Sequence, residues 1–304
     1  MLYYRGCGFV RPADGGADNA AKHNRRKGFM TRESYENVIA EHYRKVAEEQ
    51  GDSPCSTMAD QSIRRMETEA ICGFVADILS RADRKLVIAD VGCGNGYTLE
   101  VLSKAFPGQI FLGLEKTPEL FAIARKRFEG ADNVRVVSGD IRNEADVPEG
   151  GIDILLCQRV LINLLDAGDQ QKALNNLVNG LRKPEGGQGG HALFIESFNS
   201  SLANLNEARS EFDLDPIAPA HHNQYLADDY FDHPGLRPYA SETFDLPSNL
   251  LSTYYFTARV LHAMLTKGKD FKRNSEFVKF FSAALAPAVG DYSPLKFFAF
   301  SRKS

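Results

Sequence analysis

Between residues 86 and 197 short apolar runs alternate with segments of helical period, and that rhythm leaves few folds open to the chain. The runs 86–91, 110–114, 134–138, 152–157 and 192–197 are nearly continuous in apolar residues. Continuity, as opposed to strict alternation, marks strands buried on both faces. Helical patterns at 97–106, 118–129 and 167–182 fall between them, and an aromatic run at 295–301 supplies a last strand. Strands that take turns with helices predict an α/β fold, a doubly wound and mostly parallel seven-stranded sheet with helices on both faces.

The rest of the chain is read around that core. Residues 1–29, rich in Gly, Ala, Asn, Arg and Lys, have no apolar period and are expected to be a flexible leader. Residues 30–304 then form a single domain. Within it, 30–81 is a helical cover of two helices, 33–50 and 60–81, the second capped by Thr57 or Asp60. The core spans 82–198, and 291–304 holds the last strand. Residues 199–290 break the rhythm with turns and prolines and are expected to be an insertion on the substrate side. That insertion has helices at about 251–266 and 274–285.

Thirty-six basic against 40 acidic side chains leave a net charge of −4, so no general attraction to nucleic acid or anionic membrane is expected. No apolar run approaches the roughly 20 residues of a membrane-spanning helix. Five scattered cysteines (7, 55, 72, 93 and 157) without a Cys-x-x-Cys pair speak against a zinc site or disulfide framework and for a cytoplasmic protein.

The chemistry begins directly after the first strand, at Asp90-Val91-Gly92-Cys93-Gly94-Asn95-Gly96. Alternate glycines let a backbone turn tightly and approach a ligand without Cβ clashes. The spacing is not the dinucleotide G-x-G-x-x-G, because Tyr97 stands where its third glycine belongs, and no G-K-[ST] follows to make a P-loop. An acid before the loop suits a ligand with a cationic end. Glu115, with Lys116 beside it, closes the second strand about 20 residues on, where a carboxylate can take both hydroxyls of a ribose. Asp140 and Ile141 follow the third strand, one suited to an exocyclic amine and the other to a purine face.

Taken together, these residues resemble the class I S-adenosylmethionine-dependent methyltransferases over 86–197. The resemblance implies that Asp90, Gly92 and Gly94 face the methionine part of the cofactor. It implies Glu115 at the ribose, Asp140 and Ile141 at the adenine, and Lys116 within the same cofactor set. Gln158 and Arg159 match the family's segment beside the reactive sulfonium. The stretches 157–164, 205–209 and 222–226 are similar to a subgroup of small-molecule and glycan-associated methyltransferases. At the end of the fourth strand neither an Asn-Pro-Pro-Tyr nor a Pro-Cys motif occurs, so nucleic-acid methylation of either kind is not expected.

The expected activity is O-methylation of a small molecule or glycan precursor. C- or N-methylation of a metabolite, or a non-catalytic scaffold that holds the cofactor, are the alternatives. His221 and His222 are the candidate bases for an acceptor hydroxyl, and Arg159 a candidate clamp for an acidic group. Tyr35 and Tyr43 are expected to cover the site, and Tyr254-Tyr255-Phe256 to pack in the core.

Overall fold

The protein is described here by a computed structural model covering residues 32–53, 56, 58–185, 189–266 and 275–304. The leader expected at 1–29 lies outside the described residues, as do Pro54, Cys55 and Thr57. Two helices come first, α1 (Arg32–Gln50) and α2 (Gln61–Leu79). The alternating core follows as β1 (Val87–Val91), α3 (Tyr97–Ala105), β2 (Ile110–Glu115), α4 (Pro118–Arg127), β3 (Val134–Ser138), β4 (Ile154–Gln158), α5 (Ala167–Gly180) and β5 (His191–Ser197). The remainder contributes α6 (Asn199–Ser210), β6 (Leu236–Pro238), α7 (Ser252–Phe256), α8 (His262–Leu265), α9 (Glu276–Ala284) and β7 (Leu295–Arg302).

One seven-stranded sheet results, in the order β3-β2-β1-β4-β5-β7-β6. The first five strands are parallel, and β7 enters antiparallel between β5 and β6. Successive residues of a strand point to opposite faces, and here both faces are apolar. Ile88, Ile154, Leu156, Leu193 and Ile195 join one buried cluster with Phe74 of α2 and Leu99 of α3. Their neighbours Ala89, Leu155, Cys157, Ala192 and Phe194 join a second cluster with Leu174 and Leu177 of α5. Cys157 sits there as a small buried residue within β4, as its apolar surroundings require.

The insertion departs from expectation in three places. Helix α6 begins two residues after β5, although its polar sequence carries little helical amphipathicity; Ser201, Leu202, Leu205 and Ala208 suffice as a buried edge. Strand β6 is only three residues long and ends in Pro238, a residue tolerated at a sheet edge because it has no N–H to donate. The helix expected over 251–266 is interrupted: a π-helical turn, Thr257–Leu261, separates α7 from α8. Such turns recur where a helix must re-aim a side chain, and this one carries Arg259, whose guanidinium lies 3.5 Å from Asp60 and over the Tyr255 ring. Tyr254 is buried in the core as expected, and its hydroxyl donates to Asp60, the residue that also caps α2.

Candidate functional site

The carboxyl ends of β1 to β4 open into one cavity, which Asp90, Gly92, Gly94, Glu115, Lys116, Asp140, Ile141, Gln158 and Arg159 all line. This is the edge at which open parallel sheets hold ligands, since each strand delivers a loop there. The structure therefore brings together every residue predicted for a cofactor, and Arg159 with them.

The glycine loop is built as its sequence requires. Gly92, Gly94 and Gly96 have φ of 67°, 56° and 81°, the left-handed region that side chains disfavour. The Gly92 and Cys93 N–H groups both donate to the Leu114 carbonyl, which folds the loop back over β2. A Cβ on Gly92 would stand 2.4 Å from Val160 Cγ2, so no other residue fits there.

Asp90 is 2% exposed, and the Gln158 amide donates to it at 3.4 Å, a long hydrogen bond. Burial pushes its pKa up to about 7, against the pull of Gln158 and Arg64. A buried carboxylate so weakly satisfied is suited to a cationic ligand group. Glu115 is also buried. One of its oxygens accepts from the Gly94 N–H at 2.8 Å and the other from the Thr117 N–H at 2.7 Å, and the Thr117 side chain and the Lys116 N–H also bond to this carboxylate. Burial raises its pKa too.

Asp140 is more heavily engaged than its sequence position reveals. Arg142 grips it with Nε at 3.0 Å, with its Nη2 and with its own backbone N–H, and Lys116 Nζ lies 3.1 Å away. These cations hold its carboxyl well below the usual carboxylate range despite partial burial. Arg142 also reaches Glu36, the Tyr35 hydroxyl and Asp169, and Lys116 pairs with Glu36 at 2.6 Å. The network fastens α1 across the cavity, so that Tyr35, Glu36, Ile39 and Tyr43 line it from above. The cover expected of Tyr35 and Tyr43 is thus seen, and ion pairs supply the fastening.

At the far end of the cavity Arg159 adopts a left-handed φ of 57°, a conformation that costs a non-glycine residue free energy and persists where surrounding contacts enforce it. Its side chain pairs with Glu67, which is fully buried in α2. Its carbonyl accepts from Asn163 Nδ2 at 2.7 Å, and Asn163 also reaches the Tyr43 hydroxyl. Glu196, buried in β5, accepts the N–H groups of Val160 at 2.9 Å, Leu161 at 3.0 Å and Ile162 at 3.3 Å. One carboxylate thereby shapes the loop after β4. Burial pushes its pKa up to about 7.

His221 and His222 do not line the cavity. His222 stacks on His42 of α1, with ring centroids 3.7 Å apart, and His221 meets His222 edge-on. Desolvation and the neighbouring imidazoles bring the His222 pKa down to about 4. Sequence reading also missed Arg142, Glu67 and Glu196. Arg142 was signalled only by lying two residues after Asp140, and Glu196 by being the lone acid in an apolar strand.

Residues 88–186 match a family model described as a methyltransferase domain. The trans-aconitate 2-methyltransferase of Afipia carboxidovorans is 31% identical over 140 residues, 40% of this chain and 50% of that protein. The chain thus spans about half the length of the curated relative it matches. Among solved structures, the YcgJ protein of Bacillus subtilis is 17% identical with a TM-score of 0.43, covering 77% of this chain and 98% of its own. The N-methyltransferase NodS of Bradyrhizobium japonicum, solved with S-adenosyl-L-homocysteine, is 16% identical with a TM-score of 0.41. It covers 54% of this chain and 75% of its own. No helix of the described residues is long and apolar enough to cross a membrane.

Proposed function

From the premise that residues 88–186 form a class I S-adenosylmethionine-dependent methyltransferase domain, we propose that the protein methylates an oxygen of a small anionic molecule. When bound, S-adenosylmethionine supplies an electrophilic methyl group on its sulfonium. In this reading Asp90 receives the ammonium of the methionine part, and the glycine loop carries the backbone against it. Glu115 takes the ribose hydroxyls, with Lys116 alongside. Ile141 packs on the adenine, and the adenine amine is assigned to Asp140, where it competes with Arg142 and Lys116 for the carboxylate oxygens. Gln158 and Arg159 flank the reacting end.

The observation that carries the acceptor is the charge at that end. Arg159 and Arg64 both line the cavity there, while Glu67, the acid paired with Arg159, is buried behind them. Two guanidinium groups favour an acceptor bearing a carboxylate or another acidic group. A carboxylate oxygen is already deprotonated at neutral pH and needs no general base, which accords with a lining that holds no histidine among the described residues. The relative's name, a methyltransferase of the tricarboxylate trans-aconitate, supports the same class. Glycan precursors fall within the proposal when they carry an acidic group. Catalysis then rests on positioning in a covered site.

Incubation with methyl-labelled cofactor and two panels, small carboxylates and neutral alcohols, tests the proposal. Label should enter the carboxylates; transfer to neutral alcohols alone would overturn it. His221→Ala and His222→Ala should keep turnover within about twofold. A general base would instead cost roughly 10²–10⁴-fold at constant cofactor affinity.

Asp90 adds a pH dependence. Its pKa near 7 in the free protein means that it is largely protonated at pH 6 and ionised at pH 8. An ammonium ligand prefers the ionised form, so affinity for the cofactor should rise between those values. Calorimetry on wild type and Asp90→Asn would check this. The variant should bind weakly and without that pH dependence, and a flat wild-type profile would remove the assignment.

A further inference from the structure

A second cavity, of about 340 Å³, opens at the other end of the sheet, where β1, β4 and β5 begin. It shares no lining residue with the glycine-loop cavity. Arg81 and Arg84 reach it from beyond the end of α2, Asp153 from the turn before β4, His191 from the start of β5, and Arg237 with Tyr239 from β6 and its exit.

Its acids are already occupied. Asp153 receives both Arg84 nitrogens at 2.6 and 3.0 Å, Arg182 Nε at 2.5 Å and the Val87 N–H at 2.8 Å. Asp77 takes Arg81 at 2.7 Å and accepts the hydroxyls of Tyr239, Ser241 and Thr243. Asp83 acts electrostatically on Arg84. Three arginines, Arg81, Arg84 and Arg237, and one carboxylate, Asp153, thus line the cavity, and Arg237 makes no ion pair among the described residues. His191, half-buried with Nδ1 3.0 Å from Ser301 Oγ, lines the same cavity. Burial together with the cations Arg81 and Arg237 brings its pKa down to about 4.

We propose that this cavity binds a small ligand bearing phosphate or carboxylate groups, with Arg237 as its main charge partner and Arg81 and Arg84 at its flanks. Concave walls concentrate the field of the cations, and the volume falls in the range of small-molecule sites. Tyr239, edge-on to His191 at 5.1 Å and under the Arg81 guanidinium, gives the ligand an aromatic wall.

The test titrates the full chain at low ionic strength with inorganic phosphate and pyrophosphate in one series and citrate in another, by calorimetry. Saturable binding is expected in at least one series, and the stronger series identifies the anion class. Arg237→Ala should weaken it about tenfold or more, the loss expected for hydrogen bonds to a charged group. Arg237 is exposed, so the variant should melt at the wild-type temperature. The bound anion should also raise the His191 pKa, read from its ring resonances. Absence of binding in both series, equal affinity in Arg237→Ala, or an unmoved His191 titration would each overturn the proposal.

Discussion

Glu115→Ala should weaken binding of S-adenosylmethionine by roughly 1.5–3 kcal/mol, between about ten- and 150-fold, the range for hydrogen bonds to a charged group. Two effects converge on this side chain. Its carboxylate is the group offered to the ribose hydroxyls. It also holds the glycine loop, through the Gly94 N–H, and the turn after β2, through the Thr117 N–H. Loss of the second function leaves two backbone donors seeking water, so the loop should loosen as well. Glu115→Gln separates the two, because one amide oxygen can still accept a backbone N–H while the paired acceptors for a diol are gone. Calorimetry should rank wild type, Gln and Ala in that order. Wild-type affinity in a folded Glu115→Ala protein would remove the ribose assignment.

Glu196→Ala is expected to cost stability more than any single change in the cavity lining. Three N–H groups, the part-buried one of Val160 and the buried ones of Leu161 and Ile162, would lose their acceptor together. Unsatisfied buried donors cost about 1–3 kcal/mol each, so a total of about 3 kcal/mol or more follows. In a chain of 304 residues that corresponds to a melting temperature lower by roughly 5 °C or more. Because the loop also carries Arg159, turnover should fall further than stability alone explains. The sign of the pH effect is set by burial. The pKa values of Glu196 and Asp90 are both pushed up to about 7, whereas the unfolded chain ionises near 4. Between those values the folded state holds more protons, so both groups make the ligand-free protein less stable as pH rises from about 4 through 7. Thermal melts across that range should show the decline for wild type and a shallower one for Glu196→Gln.

The strands and the glycine loop were legible because local physics specifies them. Continuous apolar runs such as 154–157 can only be satisfied by burial on both faces, and three left-handed positions in five residues admit little but glycine. The strand-end acids followed from the same logic, since a parallel sheet must deliver its loops to one edge. Strand β6 and helix α6 escaped notice for the converse reason. The first is three residues ending in proline, paired to β7 by distant neighbours, and the second buries too narrow an edge to leave a period.

By itself, then, the sequence determined which residues meet at the carboxyl ends of β1 to β4, because adjacency along the chain carries over into adjacency along a sheet edge. Only the tertiary structure decided what those residues touch. Arg142 lies two positions from Asp140 but earns its meaning from Glu36, 106 residues earlier in the chain, and from Asp169 in α5. Glu67 meets Arg159, and Glu196 meets the loop after β4, across separations that no local pattern records. His221 and His222, chosen for their chemistry, came to rest against His42 and away from the cavity lining. A side chain's reactivity is written in its type, but its partners depend on which faces the packed sheet brings together.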